Sequence, residues 1–117
     1  MLRTVDRIEK PWGYELILAH TDRYAGKILH VDAGHALSLQ YHVHKDETLY
    51  LFRGECELVA EEDGELVERT LREGESYHLP PGTRHRMIAG PAGCDIFEIS
   101  SPELDDVVRL EDRYGRV

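Results

Sequence analysis

The sequence predicts an all-β fold, an antiparallel sandwich or barrel, and three observations point to it. Turn-forming residues recur every eight to twelve positions: Gly26, residues 32–34, Gly54, Asp63-Gly64, Glu73-Gly74, Pro80-Pro81-Gly82 and residues 90–93. Between them lie short segments of alternating apolar and polar character, such as 49–52, 55–60 and 95–100, the pattern of strands with one buried face. Nowhere between Gly26 and Ser100 does an apolar stripe of helical period persist over three turns.

In chain order, residues 1–24 read as an N-terminal arm in which Pro11 and Gly13 break regular structure before the apolar run 16–19. Residues 25–100 read as the barrel. Within it, Glu61-Glu62-Asp63-Gly64-Glu65 is a hairpin tip, because Asp-Gly supplies the positive backbone angles of a tight turn. Residues 101–117 form a mostly charged tail, expected across the outside of the barrel or against a neighbouring subunit. The whole is one domain, since 117 residues support a single core.

Composition excludes several classes of function. Acidic side chains outnumber basic ones by 23 to 14, for a formal charge of −9, which opposes nucleic acid and anionic membranes as partners. No apolar stretch approaches the length of a signal-peptide core or a bilayer span, so the expected location is the cytoplasm. Cys56 and Cys94 form no CxxC motif and are too few for a disulfide framework, so they read as reduced thiols.

Histidine carries the chemical information, with seven in the chain. In the segment Ser38-Leu39-Gln40-Tyr41-His42-Val43-His44-Lys45-Asp46-Glu47, a strand projects Gln40, His42 and His44 from one face. An exposed edge row and a ligand row both fit that pattern. A second segment, Gly74-Glu75-Ser76-Tyr77-His78-Leu79-Pro80-Pro81-Gly82-Thr83-Arg84-His85, delivers His85 just after a tight turn, which aims it at a site built by the first strand. Nitrogen and carboxylate ligands from two strands suit Zn, Fe, Mn, Co or Ni. His20, His30, His35 and His78 lie outside both segments and read as structural, Trp12 as a core or barrel-mouth plug, and Arg84 and Arg86 as outward-facing.

The spacings resemble the two motifs of the cupins. Gly34, five residues, Gln40, Tyr41, His42, four residues, Glu47, six residues and Gly54 correspond to the first motif; Gly74, Pro80, Gly82 and His85 correspond to the second, with Ala89 where cupins carry Asn. The resemblance implies a single-domain antiparallel jelly-roll β-barrel around one divalent metal, Zn foremost, with Mn, Co, Ni or Fe as alternatives. It implies Gln40, His42, Glu47 and His85 as ligands, or a set with His44 in place of Gln40.

The stretch Ser38-Leu39-Gln40-Tyr41-His42-Val43-His44, together with Pro11-Trp12-Gly13-Tyr14-Glu15 and the tail from Asp105 to Arg116, is similar to the isomerase domain of bifunctional phosphomannose isomerase and mannose-1-phosphate guanylyltransferase enzymes. This implies a free-standing domain, without the nucleotidyltransferase half, that interconverts mannose 6-phosphate and fructose 6-phosphate through an enediol. Strand parity then assigns His44 as the base that moves the proton and Lys27 as a cation for the phosphate. Two other readings stay open: a metal-containing cupin that binds or senses small carbohydrates without turnover, and a metal-dependent cupin dioxygenase. The feature that separates binding from isomerisation is a phosphate-binding cation beside the metal, for which the sequence offers a single plausible inward lysine. Leu37, Leu39, Tyr41 and Val43 form an apolar outward face that predicts a homodimer.

Overall fold

Alternation of large apolar residues with polar ones organises the chain into nine strands and no helix, as seen in a computed structural model describing residues 1–117. The strands are β1 (Asp6–Lys10), β2 (Gly13–His20), β3 (Ala25–Val31), β4 (Leu39–Tyr41), β5 (Glu47–Glu62), β6 (Glu65–Arg72), β7 (Ser76–Leu79), β8 (His85–Ser100) and β9 (Val108–Glu111). Every pairing is antiparallel. The two long strands each serve both walls of a jelly roll. One wall runs β1-β2-β3, the C-terminal half of β8, the N-terminal half of β5, then β7. The other runs β9-β4, the N-terminal half of β8, the C-terminal half of β5, then β6.

The change of wall occurs where the β5–β8 register shifts, between Leu51 and Arg53 and again between Gly54 and Cys56. Gly54 is required there. It has φ 85°, and a Cβ at this position would stand 2.2 Å from the Gly93 carbonyl oxygen. At the tip of the β5–β6 hairpin, Asp63 and Gly64 both take positive φ, as the Asp-Gly pair predicts.

Between the walls, Leu29, Val31, Leu49, Leu51, Leu58, Leu79, Met87 and Ile96 are almost fully buried, as are Cys56 and Cys94, both free thiols. Their positions follow the pleat: in β8, His85, Met87 and Ala89 point inward, and after the crossing Cys94, Ile96, Glu98 and Ser100 do so. Trp12 is buried in the same core.

Two expectations about the ends of the chain, and one about residues 37–43, are corrected. Residues 1–24 are not an arm apart from the barrel, because β2 pairs with β3 along its length and buries Glu15 and Ile17 on the inner face. The continuous apolar run 16–19 concealed this alternation. The tail does not lie outside the barrel: β9 pairs with β4, and Leu104, Val107 and Arg109 line the mouth of the interior cavity. Leu37, Leu39, Tyr41 and Val43 do not form one outward face. Leu37 is buried against the cavity, Leu39 and Tyr41 are half-buried, Val43 is exposed, and the chain's own β9 occupies the edge of β4. No helix is long and apolar enough to cross a membrane.

Leu58 is fully buried and Leu66 is exposed. Leu58→Ala is expected to lower unfolding stability by about 2–5 kcal/mol through lost burial and the cavity left behind, whereas Leu66→Ala changes it by less than about 0.5 kcal/mol. Urea unfolding of the two variants beside wild type checks this.

Candidate metal centre

Three side chains converge between the walls. His42 lies in the connection after β4, Glu47 opens β5 and His85 opens β8. All three are buried, and one ligand atom from each lies within 4.8 Å of the others. Glu47 Oε1 is 3.2 Å from His85 Nε2 and 3.5 Å from His42 Nε2. Neither Nε2 atom and neither Glu47 oxygen makes a hydrogen bond, although all four are buried. Unsatisfied buried polar atoms are rare because each costs about 1–3 kcal/mol. Three of them, the two Nε2 atoms and Glu47 Oε1, converge as a donor set that fits a divalent cation.

The backbone sets the imidazoles for this role. His42 Nδ1–H donates to the Asp106 carbonyl at 2.5 Å, and His85 Nδ1–H donates to the Thr83 carbonyl at 2.9 Å. A carbonyl only accepts, so in each neutral ring the proton sits on Nδ1 and the Nε2 lone pair faces the site. The Pro80-Pro81-Gly82 turn holds the two histidines in register. Gly82, at φ 82°, directs its N–H to the His42 carbonyl at 2.7 Å.

Asp106 secures the other side. Its carboxylate accepts the backbone N–H groups of Val43, His44 and Lys45 at 3.0, 2.7 and 2.9 Å. These bonds, that from His44 first, lower its pKa to about 2. One tail residue therefore shapes the 43–45 turn with its side chain and orients His42 with its carbonyl.

The proposed ligand Gln40 sits opposite His85 in the β4–β8 register and lines the same cavity as His42. Its Oε1 accepts a hydrogen bond from Ser38 Oγ at 2.6 Å. His44 is not brought to the site. Strand β4 ends at Tyr41, so the two-residue alternation that placed His44 beside His42 stops before it applies; His44 is exposed and offers only its backbone N–H, to Asp106. This correction removes it both as base and as substitute ligand. The interior place belongs to Lys45.

Lys45 Nζ lies 3.0 Å from Glu47 Oε2, as an ion pair without hydrogen-bond alignment, and 3.1 Å from Glu98 Oε2. Lys27 Nζ lies 3.8 Å from the same Glu98 oxygen and 3.0 Å from Glu15 Oε2. Lys10 Nζ stands 3.6 Å from Glu15 Oε1. The result is a ladder of alternating charge, Glu47, Lys45, Glu98, Lys27, Glu15 and Lys10, running from the histidines outward. Burial opposes the charge of Glu47, yet His42, His85 and Lys45 hold its carboxyl well below the usual range. Burial and then the charge of Glu47 push the Glu98 carboxyl up, against the pull of Lys45 and Lys27. Burial works against the Lys45 cation, but Glu98 and Glu47 outweigh it and raise its pKa.

Sequence reasoning missed Lys45 and Glu98. Lys45 falls in a turn, where parity has no meaning. Glu98 was legible, because it shares its inward face in β8 with Ile96. The ladder leads into a cavity of about 410 Å³ whose mouth is lined by residues of the tail.

A family model described as mannose-6-phosphate isomerase C-terminal matches residues 2–112. Among curated proteins, the chain is 36% identical over 114 residues to a mannose-1-phosphate guanylyltransferase of Escherichia coli K12, covering 94% of this chain and 23% of that protein. It is 32% identical over 113 residues to the alginate biosynthesis protein AlgA of Pseudomonas fluorescens, covering 93% and 23%. The chain thus spans about a quarter of the length of these relatives. Among solved structures, KdgF from Halomonas sp. superposes with a TM-score of 0.75 at 25% identity, covering 86% of this chain and 90% of that one. Oxalate decarboxylase from Bacillus subtilis superposes with a TM-score of 0.82 at 16% identity, covering 97% and 32%, and so shares the cupin fold.

Asp106→Ala keeps the carbonyl that orients His42 but removes the carboxylate that holds the 43–45 turn, so it is expected to weaken Zn binding by up to about 10-fold, the low end of the cost of losing a ligand's supporting contacts, in a calorimetric metal titration. The Asp106 carboxyl is lowered from 3.8 to about 2 in the folded chain, so its stabilising contribution is present above 3.8 and disappears as pH falls toward about 2. Thermal melts of wild type and Asp106→Ala across that window should converge at the acid end.

Proposed function

Because this chain belongs to the mannose-6-phosphate isomerase C-terminal family, we propose that it is a metal-dependent sugar-phosphate isomerase that interconverts mannose 6-phosphate and fructose 6-phosphate. The observation that carries this reading is the set of unsatisfied, buried His42, Glu47 and His85 donor atoms, joined through Lys45 to a buried lysine–carboxylate ladder, with His42 and the ladder lining the cavity. The reaction moves a proton between C1 and C2 and develops negative charge on the sugar oxygens. It therefore needs an electrophile at those oxygens and a proton carrier at the carbons.

A divalent cation held by His42, Glu47 and His85, with Gln40 beside them, supplies Lewis acidity toward the carbonyl and hydroxyl oxygens. The nitrogen and oxygen donor set suits Zn, Mn, Co, Ni or Fe. In place of His44, Glu98 carries the proton. Its carboxyl is pushed upward by burial and by Glu47, which brings a carboxylate closer to the proton affinity a general base needs. Lys45, between Glu98 and Glu47, holds positive charge next to the oxygens where negative charge develops. Lys27 does not serve as a phosphate anchor in this reading, because Glu15 and Glu98 already engage its ammonium.

The relatives' names speak of a guanylyltransferase and of alginate biosynthesis. An isomerase acting on mannose 6-phosphate would work on the same phosphorylated sugar as the mannose-1-phosphate named for the first of these relatives, at a different position of the phosphate.

A coupled assay on chelator-stripped protein, with Zn, Mn, Co, Ni and Fe(II) restored singly, is expected to show metal-dependent formation of fructose 6-phosphate. Glu98→Gln should lower kcat by at least about 100-fold, in line with loss of a general base, while binding metal as wild type does. Protein that binds metal but converts no mannose 6-phosphate with any of the five would leave a carbohydrate-binding cupin as the better reading.

A further inference from the structure

The cavity is rich in cations although the protein is negatively charged. Six cationic side chains line it, Arg3, Lys10, Lys27, Lys45, Arg109 and Arg116, against four carboxylates, although the chain as a whole carries −9. Five of the six cations are already engaged. The three lysines belong to the ladder; Arg3 pairs with Asp6 at 3.1 Å, and Arg116 grips Asp112 through two nitrogens at 2.8 and 2.9 Å. Arg109 alone has no ion pair, and its Nε is buried without any hydrogen-bond partner. A guanidinium that keeps a buried donor unsatisfied is poised for an anion that is not part of the protein.

Its position fits that use. Arg109 stands opposite Gln40 in the β9–β4 register, and Gln40 stands opposite His85 in the β4–β8 register. Cross-strand partners project to the same face, so Arg109, Gln40 and His85 form one inward row across three strands. At the usual strand spacing, Arg109 lies about 10 Å from His85 across the sheet. A hexose with its reacting end at the histidines extends its far end toward the tail.

We propose that Arg109 is the anion-binding residue of this cavity and takes the phosphate of a phosphorylated sugar. The inference rests on the isomerase reading for the sugar, but the anion site stands on the unpaired guanidinium. It also explains how an acidic chain accepts an anionic substrate: the planar fork of Arg109, unpaired within the protein, is free to pair with phosphate oxygens.

The test uses the full-length metal-loaded protein and calorimetric titration with mannose 6-phosphate, mannose and inorganic phosphate. Arg109→Gln should weaken mannose 6-phosphate and phosphate binding about 10- to 100-fold, the loss of a charged hydrogen-bonding partner, with mannose binding and metal content unchanged. Arg109→Lys should fall between the two. As a check that needs no variant, phosphate should shift the Arg109 Nε–H resonance of the wild-type protein. Wild-type affinity for mannose 6-phosphate in Arg109→Gln, or an unmoved Nε–H resonance at saturating phosphate, overturns the proposal. The two readings fail separately. Arg109-dependent binding of mannose 6-phosphate without turnover supports the anion site and refutes the isomerase; turnover with unchanged KM in Arg109→Gln supports the isomerase and refutes the anion site.

Discussion

A carboxylate with no exposed surface governs the interior of this protein. Glu47 is held between two histidines and a lysine, and its oxygens receive no hydrogen bond. Removing such a charge from water costs several kcal/mol unless other charges compensate it. Lys45 compensates it in part, but Lys45 is itself buried and needs Glu98, which needs Lys27, which needs Glu15. The chain of compensation ends only near the surface, at Lys10. At the inner end, where the protein supplies no donor, Glu47, His42 and His85 would hold a divalent cation whose charge would complete it.

The same constraint explains why the C-terminal tail is integral. A ligand histidine is useful only if its ring is fixed, and the Asp106 carbonyl fixes His42 while the Asp106 carboxylate fixes the turn that follows. Strand β9 then adds to the β4 edge and carries Arg109 into the cavity mouth, and Tyr114 anchors the end of the tail by accepting the Ala36 N–H and lying 2.7 Å from His35 Nδ1. Seventeen residues that read as a charged appendage in sequence orient His42, seal the edge of a wall and line the mouth of the cavity.

What the sequence revealed depended on whether a residue's direction is set locally. The antiparallel sandwich or barrel was legible because turn residues and alternation act over a few positions, with the jelly roll supplied by the resemblance to cupins, and His85 was legible because a Pro-Gly turn determines where the next side chain points. The spacing to His42 and Glu47 carried the rest of the triad. Parity failed at His44 because β4 is only three residues long, and a turn whose shape is set by Asp106, more than 60 positions away, points Lys45 inward instead. The pairing of Lys27 with Glu15 and Glu98 was equally out of reach, since it depends on β2, β3 and β8 lying side by side. Arg109 could be noticed but not interpreted: a tail rich in acidic residues offers it many partners on paper, and only the β9–β4 register shows that it meets none.

The most direct test of the account is an anomalous difference map from crystals of the protein loaded with Co(II). A single strong peak within bonding distance of His42 Nε2, His85 Nε2 and a Glu47 oxygen is the predicted result. A peak elsewhere, with those four atoms bridged by water or by one another, would contradict the metal centre and with it the reading of the cavity built around it.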